Sequence, residues 1–65
     1  MPLFEIAVIR RFKKDKKEKE VLIVPPTPVL SKNDKSAALQ FVMDEAEVLS
    51  EFDAEELEII VRPFA

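Results

Sequence analysis

The stretch Leu3-Phe4-Glu5-Ile6-Ala7-Val8-Ile9-Arg10-Arg11-Phe12 decides the fold. Its residues alternate with an imperfect period of two and several are β-branched, which predicts a strand over residues 3–12. Both sides of this strand are apolar, and they carry Phe4, Ile6, Val8 and Phe12 on one side and Leu3, Ala7 and Ile9 on the other. A strand that is apolar on both sides belongs in the centre of a sheet.

The next segments predict a hairpin. Residues 13–19 contain no apolar side chain and no Asn-Gly or Asp-Gly pair, so we expect a long, mobile, charged loop. A second strand is predicted over residues 20–25, where Pro25 and Pro26 end the apolar run. The segment 25–28 then forms a stiff extended connector.

A helix is predicted over residues 34–50, after several candidate N-cap residues in segment 31–34. On a helix these residues form one apolar stripe, which consists of Ala38, Val42, Ala46 and Leu49. Leu39 and Phe41 flank it. A third strand is predicted over residues 56–62, and Pro63 ends it.

These elements predict a single α+β domain with the order ββαβ. A right-handed crossover places the third strand beside the first, which gives a three-stranded antiparallel sheet in the order 2-1-3 with the helix packed on one face. One helix covers only one side of three strands. We therefore expect an uncovered face with apolar side chains at Leu3, Ala7, Ile9 and Ile60.

Five residue types are absent, namely Gly, Cys, His, Trp and Tyr. Without Cys and His there is no thiolate nucleophile, imidazole base, disulfide or zinc-finger site. Without Gly there is no phosphate-binding loop, dinucleotide-binding turn or EF-hand loop. We expect no enzymatic activity, no catalytic residue, no metal site, no cofactor and no small-molecule substrate.

Charge divides the chain into two halves. Residues 1–35 carry nine Lys/Arg against five Asp/Glu, whereas residues 36–65 carry one Arg against eight Asp/Glu. No apolar run reaches the ~20 residues that span a bilayer. The N-terminal residues do not have the pattern of a signal peptide. We therefore expect a cytoplasmic protein without membrane contact.

An exposed apolar sheet face predicts a protein partner or self-association. The contact is expected to use this face together with an edge strand and the acidic helix. The residues predicted to bind the partner are Ile9, Ile60, Arg62, Asp44 and Glu47.

Two alternatives stay open. The basic hairpin 10–19 could bind nucleic acid, since Lys and Arg neutralise phosphates; its candidate residues are Arg10, Arg11, Lys13, Lys14, Lys16 and Lys17. The chain could also be a structural or self-assembling virion component whose apolar face pairs with its own copies.

Segments 4–9, 21–25, 32–38 and 57–64 together resemble small proteins of tailed bacteriophages. The ending Val61-Arg62-Pro63 is also similar to that of the small T7-type phage inhibitors of bacterial RNA polymerase, in which an acidic helix precedes a strand. Where those inhibitors carry a further arginine, this chain has Ile60. The resemblance implies a phage accessory protein that acts by binding in the host cytoplasm, in host takeover or inhibition of a host protein.

Overall fold

The computed structural model describes residues 2–64. The elements in chain order are β1 (Leu3–Lys14), β2 (Lys17–Leu30), α1 (Asp34–Asp44), α2 (Ala46–Leu49), a 3-10 turn (Ala54–Glu56) and β3 (Leu57–Pro63). The strands form one antiparallel sheet in the order β2-β1-β3. This confirms the predicted α+β fold, with one main helix on a three-stranded sheet.

The core lies between α1 and one face of the sheet. Ile6 and Val8 of the central strand have no solvent exposure, and Phe41 of α1 is 3% exposed. The buried cluster consists of Phe4, Ile6, Val8, Val24, Ala37 and Phe41. It occupies the strand face that the alternation of β1 assigned to the interior.

The predicted mobile loop over residues 13–19 is wrong, because both strands continue almost to the turn. Lys14 pairs with Lys17, so the hairpin closes through only two residues, Asp15 and Lys16. Both have positive φ, 54° and 65°, as a type I′ turn requires. Asp tolerates this region, and Lys adopts it although glycine is the usual residue there.

The predicted end of β2 at Pro25 is also wrong, since β2 continues to Leu30. The Ser31 amide donates to the Pro2 carbonyl at 3.1 Å. In an antiparallel pair every second residue hydrogen bonds to the partner strand, so counting back from Ser31 places Pro28 at a position with no hydrogen bond to β1. Its missing N–H therefore costs nothing there. Pro25 and Pro26 lie where the register shifts, at one of two positions where β2 carries an extra residue.

The predicted helix over residues 34–50 is two helices, separated at Glu45. Asn33 caps α1, and its side chain accepts a hydrogen bond from the Ser36 amide at 2.8 Å. The last turn of α1 has no basic residue. Asp44 and Glu45 instead place negative charge at the negative end of the helix dipole, which favours an interruption there.

The apolar stripe of the helix points only partly into the core, where Leu49 packs against the buried cluster. Ala37 and Phe41 are buried, whereas Val42 is half-buried and Ala46 is exposed. Phe41 is the bulkiest apolar side chain of α1, so its burial sets the rotation of the helix about its axis. Val42 and Ala46 of the predicted stripe consequently lie on the flank of the helices.

Candidate interaction surfaces

The structure divides the five predicted partner-binding residues between two sides of the sheet. Ile9 and Ile60 are half-buried on the face opposite α1, and Arg62 is exposed on the same face. Asp44 and Glu47 are exposed in the helical layer on the other side. No single flat surface holds all five.

The face opposite α1, which we call the bare face, is apolar at its centre. Ala7 pairs with Ile60 across β1 and β3, and Ile9 pairs with Leu22 across β1 and β2. Leu22 is 55% exposed. Within residues 2–64, every buried helical side chain packs on the other face of the sheet, so these side chains stay in contact with solvent.

At one end of the bare face, an ion-pair network joins the three strands. The Arg11 guanidinium lies 3.0 Å from Glu20 on β2 and 3.1 Å from Glu58 on β3. Each contact crosses to a neighbouring strand, so Arg11 links all three strands of the sheet. Exposed pairs of this kind stabilise weakly, and their main effect is to fix side-chain positions.

The outer edge of β3 presents unpaired backbone groups. The Phe64 amide donates to the Leu3 carbonyl at 2.8 Å, so this pair hydrogen bonds to β1. Because backbone groups of successive strand residues point to opposite edges, Glu58, Ile60 and Arg62 also face β1, while Ile59 and Val61 face outward. Within residues 2–64, the N–H and C=O groups of those two residues therefore have no hydrogen-bond partner in the sheet.

The two edges of the sheet differ in their protection. The β2 edge carries three prolines, two register shifts and two lysines, all of which discourage pairing with another strand. β3 has one proline, Pro63, at its last position, and it has no register shift and no lysine. Within residues 2–64, the β3 edge is therefore the less protected of the two.

An apolar groove runs beside the β3 edge on the helix side. Its volume is about 360 Å³, and its lining residues are Val42, Ala46, Leu49, Ser50, Ala54, Leu57 and Ile59. Ile59 is 39% exposed although it lies opposite the fully buried Val8. The groove thus places an exposed apolar surface directly against the free backbone groups of Ile59.

A two-stranded arm, residues 11–20, extends beyond the last pair of β1 with β3. Cross-strand partners share a face, so the register sorts its charges. Phe12 pairs with Lys19, and Lys14 pairs with Lys17, on the helix side of the arm. We call this surface the lysine face. The opposite side of the arm holds Arg11, Lys13, Glu18 and Glu20.

Arg10 connects the arm to the helical layer. Its guanidinium lies 3.1 Å from a Glu56 carboxylate oxygen, 4.4 Å from the Phe12 ring centroid and 5.9 Å from that of Phe52. Arg10 and Arg11 are thus both engaged within the fold. The other four nucleic-acid candidates, namely Lys13, Lys14, Lys16 and Lys17, are exposed.

Sequence reasoning missed two features of these surfaces. The outward backbone of Ile59 and Val61 depends on the hydrogen-bonding phase with β1, which sequence does not encode directly. The role of Lys19 on the lysine face depends on the two-residue turn. Its only sequence signal is the alternation of charge sign along segment 17–20, where Lys and Glu follow one another.

Within residues 2–64, no group of three or more acidic side chains is arranged to hold a metal ion. In the same part of the chain, no helix has the length and apolar character needed to cross a membrane. No protein family, curated protein or solved structure matches the chain.

Proposed function

We propose that this is a non-enzymatic binding protein whose protein partner adds an extended strand to the free edge of β3. The observation that supports this most directly is that unpaired backbone groups and two apolar surfaces meet at the β3 edge. Free backbone groups at Ile59 and Val61 lie between the apolar groove on one side and the bare face on the other.

The flanking side chains define the chemistry of the added strand. Its side chains alternate between the two faces of the sheet, so one set enters the groove and the other contacts Ile60. On the same face of β3, Glu58 precedes Ile60 and Arg62 follows it. The partner strand therefore carries an apolar side chain opposite Ile60 and an acidic one opposite Arg62. Opposite Glu58, which already pairs with Arg11, a basic side chain shares the carboxylate with Arg11.

The other predicted contact residues act less directly in this proposal. Ile9 lies one strand inward and extends the apolar contact surface. Asp44 and Glu47 lie in segment 44–58, which has eight acidic residues and no basic one, and their charge steers the approach of the partner. The resemblance to phage proteins supports a partner in the bacterial cytoplasm, either a host protein or the chain itself.

Residue-resolved amide exchange tests the proposal, because the β3 edge has an alternating signature. In the free chain, the Glu58, Ile60 and Arg62 amides are protected by β1, whereas those of Ile59 and Val61 exchange freely. The isotope-labelled protein is measured dilute, concentrated, and dilute in unlabelled bacterial lysate. Strand addition predicts at least ten-fold slower exchange at Ile59 and Val61 in one of the last two samples.

The Ile60→Asp variant provides the matched control. It keeps the backbone donors of β3 but places a charge at the centre of the apolar contact, so protection of the Ile59 and Val61 amides is lost. The inward amides report whether the variant still folds. If Ile59 and Val61 exchange freely in all wild-type samples, strand addition at β3 is excluded.

A second candidate function, nucleic-acid binding by the arm, is favoured by the separation of charges across it. Three acidic residues lie within or next to the basic run: Glu18 and Glu20 lie away from the lysine face, and Asp15 lies in the turn. That face presents Lys14, Lys17 and Lys19 beside the partly exposed ring of Phe12. A cationic strip with one aromatic ring suits a single-stranded nucleic-acid backbone.

Charge reversal on the two faces of the arm tests this candidate. Replacing Lys14, Lys17 and Lys19 by Glu removes three phosphate-binding charges, so binding to single-stranded DNA weakens by ~100-fold or more at low salt and its salt dependence disappears. The Lys13→Glu variant changes charge on the opposite face and weakens binding only slightly. Equal losses per charge in both variants, or no wild-type binding at low salt, would exclude the lysine face as a site.

A further inference from the structure

Resting on the proposed strand addition, we infer that the strand added to β3 is the β3 of a second copy of this chain, antiparallel and centred on Ile60. The segment Glu58-Ile59-Ile60-Val61-Arg62 has an acidic end, an apolar centre and a basic end. An antiparallel two-fold places the acidic end of one copy opposite the basic end of the other. The edge is therefore complementary to itself.

The alternation of inward and outward backbone hydrogen-bonding groups along β3 agrees with this register. A two-fold centred on Ile60 places Ile59 of each copy opposite Val61 of the other. Both residues have outward-facing backbone groups, so these two pairs exchange about four hydrogen bonds. The two Ile60 residues form a non-hydrogen-bonded pair, in which the Cα atoms lie ~4.5 Å apart and the side chains are closest.

The side chains select this register over its neighbours. Centred on Ile60, the pairing joins Glu58 of each copy to Arg62 of the other and Ile60 to itself, all on the bare face. Centred on Ile59, it places Glu58 opposite Ile60. Centred on Val61, it places Arg62 opposite Ile60. Only the Ile60-centred register leaves no charge facing an isoleucine.

The second copy also closes the assembly. Pairing through β3 produces a six-stranded sheet whose two outer strands are both β2. Each β2 edge carries Pro25, Pro26 and Pro28 and the two register shifts, which block addition of a further strand. The association therefore stops at two copies, as a closed two-fold interface requires. On the helix side, Ile59 of one copy lies beside Val61 of the other, so its exposed surface is covered.

Exchange of charges between the two copies tests the pairing. The single variants Glu58→Arg and Arg62→Glu each place like charges opposite one another at two symmetric positions. Their self-dissociation constants, measured by sedimentation, rise at least ten-fold over wild type. An equimolar mixture of the two variants restores opposite charges at both positions. It therefore forms a mixed dimer at least ten-fold tighter than the self-dimer of either variant, although the Arg11–Glu58 ion pair stays broken in the Glu58→Arg chain.

A cysteine scan tests the register, since the chain has no native cysteine. Ile60→Cys places two thiols directly opposite one another, within the Cα separation that a disulfide spans. It forms a covalent dimer under mild oxidation. In Ile59→Cys and Val61→Cys each thiol faces an aliphatic residue, so these matched controls form covalent dimers at least ten-fold more slowly.

Each outcome separates this inference from the proposal on which it rests. A wild-type chain that stays monomeric when concentrated, while Ile59 and Val61 gain protection in lysate, overturns the second copy and keeps strand addition. Free exchange at both residues in all samples overturns both. A variant mixture that associates no better than its components, or faster disulfide formation at position 59 or 61, overturns the Ile60-centred pairing.

Discussion

Ile6 and Val8 dominate the small core of this protein. Both are fully buried on the central strand, in one cluster with Phe41. A chain of 65 residues buries a smaller share of its surface than a larger domain does, so each core side chain contributes a large part of the net stability.

We predict that Ile6→Ala lowers the free energy of unfolding by about 2–5 kcal/mol, because it removes buried apolar surface and leaves a cavity. Urea denaturation followed by circular dichroism measures the change. Leu22→Ala, at a position that is 55% exposed, is the comparison and changes stability by less than ~1 kcal/mol. Equal losses for the two variants would contradict the assignment of the core.

Lys16 occupies a backbone conformation that favours glycine. Its φ is 65°, and Lys16→Gly removes the steric cost of its Cβ atom. The variant is expected to stabilise the hairpin by about 1 kcal/mol, seen as slower amide exchange in the arm. Lys14→Gly, placed within β1, is expected to have the opposite effect. Faster exchange in Lys16→Gly would exclude a type I′ turn.

At the scale of elements, α1 depends on its N-cap. The Asn33 side chain satisfies the Ser36 amide, one of the backbone donors left unpaired at a helix start. Asn33→Ala is predicted to lower the free energy of unfolding by about 1 kcal/mol. Asn33→Asp retains the hydrogen-bond acceptor and keeps most of the stability that the cap contributes. Equal destabilisation by both variants would indicate that the cap contributes little.

Also at this scale, strand type was readable from sequence but strand length was not. The period of two over residues 3–12 identifies β1 correctly. The prolines of β2 and the absence of Gly at the turn predicted interruptions that pairing with β1 overrides. At an edge strand Pro28 loses no ladder bond, and the gain from aligned strands outweighs the cost of positive φ at Lys16.

At the scale of the whole molecule, the inferred pairing makes stability depend on concentration. Folded monomers that associate are stabilised by mass action, so the thermal midpoint of the wild-type chain is predicted to rise by a few °C for each ten-fold increase in protein concentration. Scanning calorimetry over a hundred-fold range measures it. The Arg62→Glu variant is predicted to show a flat midpoint, and a flat midpoint for wild type as well would argue against association.

The candidate surfaces were only partly predictable at this scale. Apolar residues on both sides of β1 implied an uncovered face, and the structure places Ile9 and Ile60 there. Asp44 and Glu47 were expected to share the contact surface, yet they lie on the opposite side of the sheet. Their position follows from the packing of the two helices, α1 and α2, on the core side of the sheet, away from Ile9 and Ile60.

The sequence by itself determined the element types, their antiparallel order and the division of apolar side chains between two sheet faces. These features depend on local periodicity and on short connections, which act along the chain. Tertiary structure alone decided the rotation of α1, the length of β2, the lysine face and the outward backbone of Ile59 and Val61. Each of these depends on cross-strand register, a relation between residues distant in sequence that packing of the core selects.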